Sequence, residues 1–236
     1  MLDLDKIIEF DKHLLLTLNG SDSLFWDGCM TVYTTMIVWM PLAVLLLYVL
    51  IKNNNIRTFM LLVVIITLVF VLTDGITSTF CKPFFERWRP TRDPELMYLV
   101  DVVNGYRCAS YGFMSSHAAN SFGIATFIML LMRNRALSVS LVIWALINCY
   151  SRIYLGVHYP GDIIGGTIVG ILSGILMYRL YIYLCKKMRL AGSRDWISTQ
   201  YTKSGYLVSD IHLILVVLYG TFAAIPVIAF LVLQQH

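Results

Sequence analysis

The sequence predicts an all-α protein, a polytopic bundle of about six transmembrane helices preceded by an amphipathic helix at the membrane surface. Of its 236 residues, 58% are hydrophobic and only 14% are charged, and the mean hydropathy is +0.72. A water-soluble globular protein of average composition is less apolar and more charged. Several nearly uncharged stretches also reach the length of about 20 residues that a helix needs to cross a hydrocarbon core.

The N-terminal segment carries charges between apolar side chains that recur at helical spacing over residues 3–18. This pattern is typical of a helix that lies on a membrane and is too charged to cross it. Asn19, Gly20 and Ser21 are expected to end this helix. The sequence therefore predicts one surface helix before the first span.

The apolar stretches that follow predict six spans. Pro41 falls in the middle of the first, and Asp74 interrupts the second. The fifth carries four glycines on or near one face, and small residues at such spacing let helices approach closely in lipid. In order, the predicted spans are residues 28–51, 58–80, 117–132, 136–150, 162–184 and 211–233.

The spans and their connections are interpreted as one domain, residues 1–236. Its catalytic core is expected at about 58–180, and the span at 211–233 is an addition to that core. A long polar and aromatic connection covers residues 81–116, and a polar, basic one covers 185–209. The five cysteines have no spacing typical of metal or redox sites, and whether Cys81 pairs with Cys108 is left open.

The basic residues favour one side of the membrane. Turns at 52–57, 133–135 and 179–203 lie on the same side and carry ten of the 18 lysines and arginines. Because basic loops stay in the cytoplasm, the segments 81–116 and 151–161 are expected to face outward. We therefore expect a multi-pass protein of the inner membrane whose chemistry takes place on the periplasmic or exterior face.

Three polar clusters are predicted to meet on that outer side. An ionisable residue at membrane depth is costly unless it has a partner or a water-filled cavity, so such clusters indicate function. They combine cations, two histidines and the start of a helix, where backbone N–H groups favour an anion. Together they predict a phosphate pocket. The clusters are Lys82, Arg87, Arg89 and Pro90; Ser115, Ser116 and His117; and Arg152, His158 and Asp162.

Phosphoryl transfer needs these types of residue. Fixed cations match the charge on the transferring group, and arginine suits phosphate because its planar fork bonds two oxygens. A neutral imidazole attacks phosphorus when its other ring nitrogen is held in the correct tautomer, and Asp162 is placed to hold His158 in this way. His117 is then available to protonate the leaving oxygen.

These clusters resemble the three-part signature of the type 2 phosphatidic acid phosphatase superfamily. The matching residues are Lys82 with Arg89-Pro90, then Ser115-x-His117, then Ser151-Arg152 with His158 and Asp162. The middle block departs from the family's usual Pro-Ser-Gly-His because this chain has Met114 and Ser116. The Cβ of Ser116 would be strained if that position required a positive φ.

The resemblance implies a metal-independent lipid phosphatase without a cofactor. By it, His158 is the nucleophile that forms a phosphohistidine, Asp162 orients it and His117 is the general acid. The implied partners are a phosphorylated membrane lipid and the bilayer, with no nucleic acid. The residues implied to bind phosphate are Lys82, Arg89, Ser115, Ser116 and Arg152.

Several alternatives remain at this stage. Lipid A is slightly favoured as substrate because Arg92 and Arg107 suit a bulky, multiply charged headgroup, with undecaprenyl pyrophosphate and phosphatidylglycerophosphate as alternatives. Arg87 and Arg92 are interpreted as cations that reach toward lipid headgroups. Asp74 is either a partner of a site cation or part of a polar contact between helices. A lipid transporter or scramblase is a more distant alternative, and it would be expected to show interrupted or repeated helices.

Overall fold

A computed structural model describes residues 4–190 and 200–234, and helices make up most of them. The predicted all-α membrane bundle is confirmed. Part of the predicted basic connection, residues 191–199, lies outside the described residues. The helices are α1 Leu4–Leu18, α2 Leu24–Thr34, α3 Met40–Asn53, α4 Ile56–Asp74, α5 Lys82–Phe85, α6 Ser116–Met132, α7 Arg135–Tyr154, α8 Pro160–Lys187 and α9 Val208–Leu233.

Five helical segments in the described residues are long and apolar enough to cross a membrane. They are Met36–Asn53, Ile56–Phe85, Arg135–Tyr154, Pro160–Lys187 and Val208–Leu233. The remaining predicted span, residues 117–132, corresponds to α6, which is apolar but has only 17 residues. Most of its side chains are buried against α4, α7 and α8, so α6 is the core of the bundle and has little contact with lipid.

The first predicted span, residues 28–51, is wrong as a single helix. The chain becomes extended at Thr35, and a short 3₁₀ turn follows at Met36–Trp39 before α3 begins. Pro41 lies in the first turn of α3, where its missing N–H removes no helical hydrogen bond. The segment that crosses the membrane therefore begins at Met36, and α2 packs beside α9.

The second span is longer than predicted. After α4 the helix widens into a π-helical segment, Gly75–Cys81, and continues through α5 to Phe85. Lys82 therefore lies in the last helical turns of the span and not in the connection that follows it. Such widened turns occur often at functional sites because they shift side chains around the helix axis.

The predicted close approach of the fifth span is present between α6 and α8. A Cβ added to Gly166, Gly170 or Gly174 would lie 2.3–2.6 Å from a backbone carbonyl oxygen of the segment Ser115–Gly123. No side chain fits at such a distance. The two backbones are therefore in direct contact, and this contact fixes α6, which carries His117, against α8, which carries Asp162.

Helix α1 packs on the bundle through its C-terminal half. Leu15 is fully buried with Tyr159 and Ile163, whereas Leu4 and Phe10 nearer the N-terminus are about two thirds exposed. Asn19 follows the helix and bonds the backbone of Tyr154 and Asp101, while Gly20 has a positive φ. All five cysteines are described and free, so Cys81 and Cys108 do not pair.

Candidate active site

The connection after α5 forms one wall of the site. Arg89 N–H donates to the Ser110 carbonyl (2.9 Å), and Gly112 N–H donates to the Arg87 carbonyl (2.9 Å). These bonds pair the segment 87–89 with the segment 110–112 in a short antiparallel bridge. In extended backbone, alternate side chains point the same way, so Arg87 and Arg89 face inward while Trp88 is exposed.

His158 and Asp162 lie side by side at the turn that leads into α8. The Nδ1 atom of His158 is 3.3 Å from Asp162 Oδ2, and the same oxygen accepts from the Tyr159 N–H (3.1 Å). Both side chains are almost completely buried. His158 lies just before the N-cap of α8 and Asp162 lies in its first turn, so the turn at Tyr159 brings the two side chains together.

Arg89 determines which nitrogen of His158 carries a proton. Its Nη1 donates to His158 Nε2 (2.9 Å) and to the Val157 carbonyl (2.9 Å), and its Nε donates to the Tyr111 carbonyl (3.1 Å). Because a guanidinium only donates, Nε2 must accept with a lone pair. The ring proton is therefore on Nδ1 and points to Asp162.

Electrostatics keep His158 neutral. Burial lowers the pKa of His158 to about 4; the hydrogen bond to Asp162 opposes this change, and the positive charges of Arg89 and Lys82 reinforce it. At neutral pH the imidazole is therefore unprotonated at Nε2. A neutral ring nitrogen beside fixed cations has the properties of a nucleophile for an anionic substrate.

The widened turn after α4 brings Lys82 to the start of α6. Its Nζ donates to Ser116 Oγ (2.8 Å) and to Ser78 Oγ (2.9 Å). Thr77 Oγ1 also donates to Ser116 Oγ (2.9 Å). Ser116 is the first residue of α6, and its hydroxyl group is the point at which the two helices meet.

Ser115 and His117 flank this contact. Ser115 is buried and caps α6, because its Oγ accepts from the Ala118 N–H (3.4 Å), while its own N–H donates to the Asp162 carbonyl (3.1 Å). The side chain of His117 is exposed. His117 lies within electrostatic range of Arg152, His158, Arg89 and Lys82. The structure therefore brings the three predicted clusters together.

Arg152 lies in the last turn of α7 and is only 2% exposed. Its Nε has no hydrogen-bond partner within the part of the chain that the structure describes. A buried donor of this kind is normally satisfied, so it favours an anionic acceptor in the pocket. This is the electrostatic character expected of a phosphate ligand.

Asp74 takes part in a polar contact between helices. Its Oδ1 accepts from Asn120 Nδ2 (3.2 Å), and the Asn120 Oδ1 accepts from Thr73 Oγ1. This contact joins α4 to α6 below the site. The interhelical contact left open by the sequence is present, and the charge of Asp74 also lies within electrostatic range of Lys82, so its role as a partner of that cation stays a prediction.

The interpretation of Arg87 as a lipid-facing cation is wrong. Its Nη1 donates to Asp162 Oδ1 (2.8 Å), and its Nη2 donates to Asp11 Oδ2 (2.7 Å). The alternation of Arg87 and Arg89 around the exposed Trp88 could have indicated that both arginines face inward. Asp11 belongs to α1, and no local pattern distinguishes it from the other charges of that helix. Arg92, by contrast, is exposed as predicted.

The helical bundle and the pocket at its end define an integral membrane phosphatase. A model of the PAP2 superfamily matches residues 58–185, which is more than half of the chain. The chain belongs to the PAP2 superfamily, and the predicted family and activity class are confirmed. It is a multi-pass membrane protein.

Two curated relatives are lipid A 4'-phosphatases. The protein from Bacteroides thetaiotaomicron is 43% identical over 172 residues, covering 72% of this chain and 76% of the relative. The protein from Porphyromonas gingivalis is 34% identical over 182 residues, covering 76% of each chain. A crystal structure of a transmembrane PAP2-type phosphatidylglycerolphosphate phosphatase from Bacillus subtilis has the same fold, with a TM-score of 0.58 and 20% identity over 74% of this chain and 86% of that one.

Proposed function

We propose that this protein removes a phosphate group from lipid A at the periplasmic face of the inner membrane, through a phosphohistidine formed on His158. The relatives named lipid A 4'-phosphatase support the substrate. The exposed cations Arg92 and Arg107, on the connection that borders the site, suit a large and multiply charged headgroup. The excess of lysine and arginine on the opposite end of the bundle supports the orientation.

One observation carries the mechanism. The unprotonated Nε2 of His158 lies 2.9 Å from Arg89 Nη1, so the attacking atom is adjacent to a donor for phosphate oxygens. Arg89 donates to Nε2 in this structure and would donate to the phosphate when the substrate is bound. Asp162 holds the proton on Nδ1 and stabilises the positive charge that develops on the ring during attack.

Catalysis then takes two steps. In the first, His158 Nε2 forms a bond to phosphorus while the bond from phosphorus to the lipid oxygen breaks, and His117 gives that oxygen a proton. In the second, His117 takes a proton from water, the water oxygen bonds to phosphorus, and the bond from phosphorus to Nε2 breaks. The exposure of His117 supports both of its roles, because it can reach the leaving group and solvent water.

The other polar residues hold the phosphate. Lys82, Arg89 and Arg152 supply positive charge from three different elements, which surrounds the oxygens of the transferring group. Ser115 Oγ can donate its proton to phosphate while it accepts from the Ala118 N–H, because a hydroxyl group does both. Ser116 acts through Lys82, since its hydroxyl group holds the ammonium in place.

Phosphate release by the detergent-solubilised protein tests this proposal. The substrates are lipid A, undecaprenyl pyrophosphate, phosphatidylglycerophosphate and phosphatidic acid under one set of conditions. His158→Ala is expected to lower kcat by at least about 1,000-fold and His117→Ala by about 100-fold or more, as for a nucleophile and a general acid. His212→Ala, at an exposed histidine on α9, is the matched control and should retain the parent rate.

Two results would count against the proposal in different ways. If both site variants release phosphate as fast as the parent, the histidines do not perform the chemistry. If lipid A is untouched while undecaprenyl pyrophosphate is hydrolysed, the mechanism stands and the substrate is wrong.

A further inference from the structure

Arg87 joins the surface helix α1 to the residue that orients His158. One arm of its guanidinium donates to Asp162 Oδ1 (2.8 Å), and the other donates to Asp11 Oδ2 (2.7 Å). The second oxygen of Asp11 accepts from the Gly161 N–H (2.8 Å). Asp11 therefore contacts both the arginine and the backbone that leads to Asp162.

Helix α1 and the start of α8 approach each other closely at these contacts. A Cβ at Gly161 would lie 2.7 Å from Asp11 Oδ2, so only glycine allows α1 to approach the start of α8 in this way. The guanidinium of Arg87 also lies 4.1 Å from the ring centroid of Tyr159, whose hydroxyl group donates to Asp93 (2.7 Å). Arg87 is thus held by two carboxylates and an aromatic face, an arrangement that fixes its direction.

The N-terminal half of α1 borders a cavity. A cavity of about 790 Å³ separates its apolar side chains from the bundle, and Ile7, Phe85 and Ile164 are among the residues that line it. The exposed Leu4 and Phe10 suit the boundary between lipid and water. Beyond the packing of Leu15, α1 is attached near the site by the contacts of Asp11 and by an ion pair between Lys12 and Glu95.

We infer that Asp11 and Arg87 are positioning residues that hold the Asp162 carboxylate against His158. The position of α1 on the bundle therefore determines the basicity of the nucleophile. The inference deepens the proposed function and rests on His158 being the nucleophile. It gives α1 a role in catalysis in addition to its place on the membrane surface.

The charged groups around His158 determine how its pKa should change when Asp11 or Arg87 is replaced. His158 is faced by Asp162 on α8, by Arg89 in the connection, by Lys82 on α5 and by His117 on α6, and Arg87 acts on it through Asp162. Loss of Arg87 leaves the negative charge of Asp162 less neutralised, which raises the pKa of His158. Loss of the Asp11 charge lets Arg87 neutralise Asp162 more fully, which lowers the pKa of His158.

The experiment is the pH profile of kcat/KM, measured for lipid A or, if lipid A is not hydrolysed, for undecaprenyl pyrophosphate. The acid limb reports protonation of the free enzyme's nucleophile. Asp11→Asn is expected to move this limb to lower pH and Arg87→Met to higher pH, each by about half a unit, since these charges are one residue removed from the ring. Both variants should also lose about tenfold in kcat, because Asp162 is held less well.

Two controls separate positioning from general damage to the fold. Lys12→Met removes the ion pair between α1 and Glu95 and should leave the acid limb in place. Asp11→Glu keeps the charge and should restore the parent limb, and elution as a monodisperse peak confirms that each variant is folded. The inference is overturned if the acid limb of the pH profile stays in place in Asp11→Asn and Arg87→Met, or if it moves in the same direction in both. A parent protein that hydrolyses none of the tested lipids would instead overturn the proposed function.

Discussion

Ser116 is the residue at which this chain differs most clearly from the usual form of its family signature. Glycine is expected there, and the sequence raised the question of strain. Ser116 begins α6 in helical conformation, and its hydroxyl group accepts from both Lys82 and Thr77. The extra side chain is therefore used to hold a site cation.

Removal of the Ser116 hydroxyl group should weaken phosphate binding by Lys82. A hydrogen bond to a charged group contributes about 1.5–3 kcal/mol, so Ser116→Ala is expected to lower kcat/KM by about tenfold. Lys82 keeps its contact with Ser78, which limits the loss. Steady-state phosphate release measures the effect. Ser140→Ala removes a hydroxyl group that bonds Tyr219 far from the site and should stay within about twofold of the parent; equal rates in both variants would contradict the role given to Ser116.

At this scale, sequence reasoning found the residues that a local pattern identifies. His158 and Asp162 are four residues apart across the start of α8, and Lys82, Arg89 and Arg152 follow or end apolar stretches. Asp11 could not be identified in this way, because only the folded bundle brings it to Arg87, 76 positions away in the sequence.

The contact between α6 and α8 is the element on which the site depends. Gly170 lies opposite the Ala119 carbonyl, and a Cβ there would be 2.4 Å from that oxygen. The backbone of α6 cannot give way without moving Ser115 and His117 relative to Asp162.

Gly170→Ala should therefore destabilise the bundle by about 1–3 kcal/mol, the usual cost of overpacking, and lower the midpoint of thermal unfolding in detergent. Activity should fall with it. Gly220→Ala on α9 is the matched control, because no atom of another described element lies within 4 Å of the added Cβ and alanine favours a helix. A Gly170→Ala protein that unfolds at the parent temperature would argue against the backbone contact.

The elements were predictable where hydropathy decides them, and their ends were not. Apolar length located α6, α7, α8 and α9 to within a few residues. The break at Thr35 and the widened segment Gly75–Cys81 depend on packing with neighbouring helices, which periodicity in a single stretch cannot report.

For the whole molecule, the proposed orientation places the pocket and the connection 86–115 outside the cytoplasm. The turn between α3 and α4 then faces the cytoplasm. Tyr98 in the connection and Arg57 after the turn are both exposed, so each can carry a label.

Single cysteines at these two positions test the orientation. In a Cys108→Ser background, in which the other four native cysteines are buried, a membrane-impermeant maleimide should label Tyr98→Cys in intact spheroplasts. Arg57→Cys should react only after the membrane is permeabilised. The reverse pattern would place the pocket in the cytoplasm and refute the orientation argued from the basic residues.

The two sides of the pocket are held by different kinds of contact. On one side, glycines let the backbones of α6 and α8 touch. A backbone contact is rigid because it does not depend on side-chain rotamers. On the other side, Arg87 and Asp11 are joined by a side-chain ion pair, whose geometry depends on the rotamers of both residues. The catalytic histidines thus lie between a rigid contact of two helices and an adjustable ion pair, and one partner of that pair, Asp11, belongs to the amphipathic helix α1.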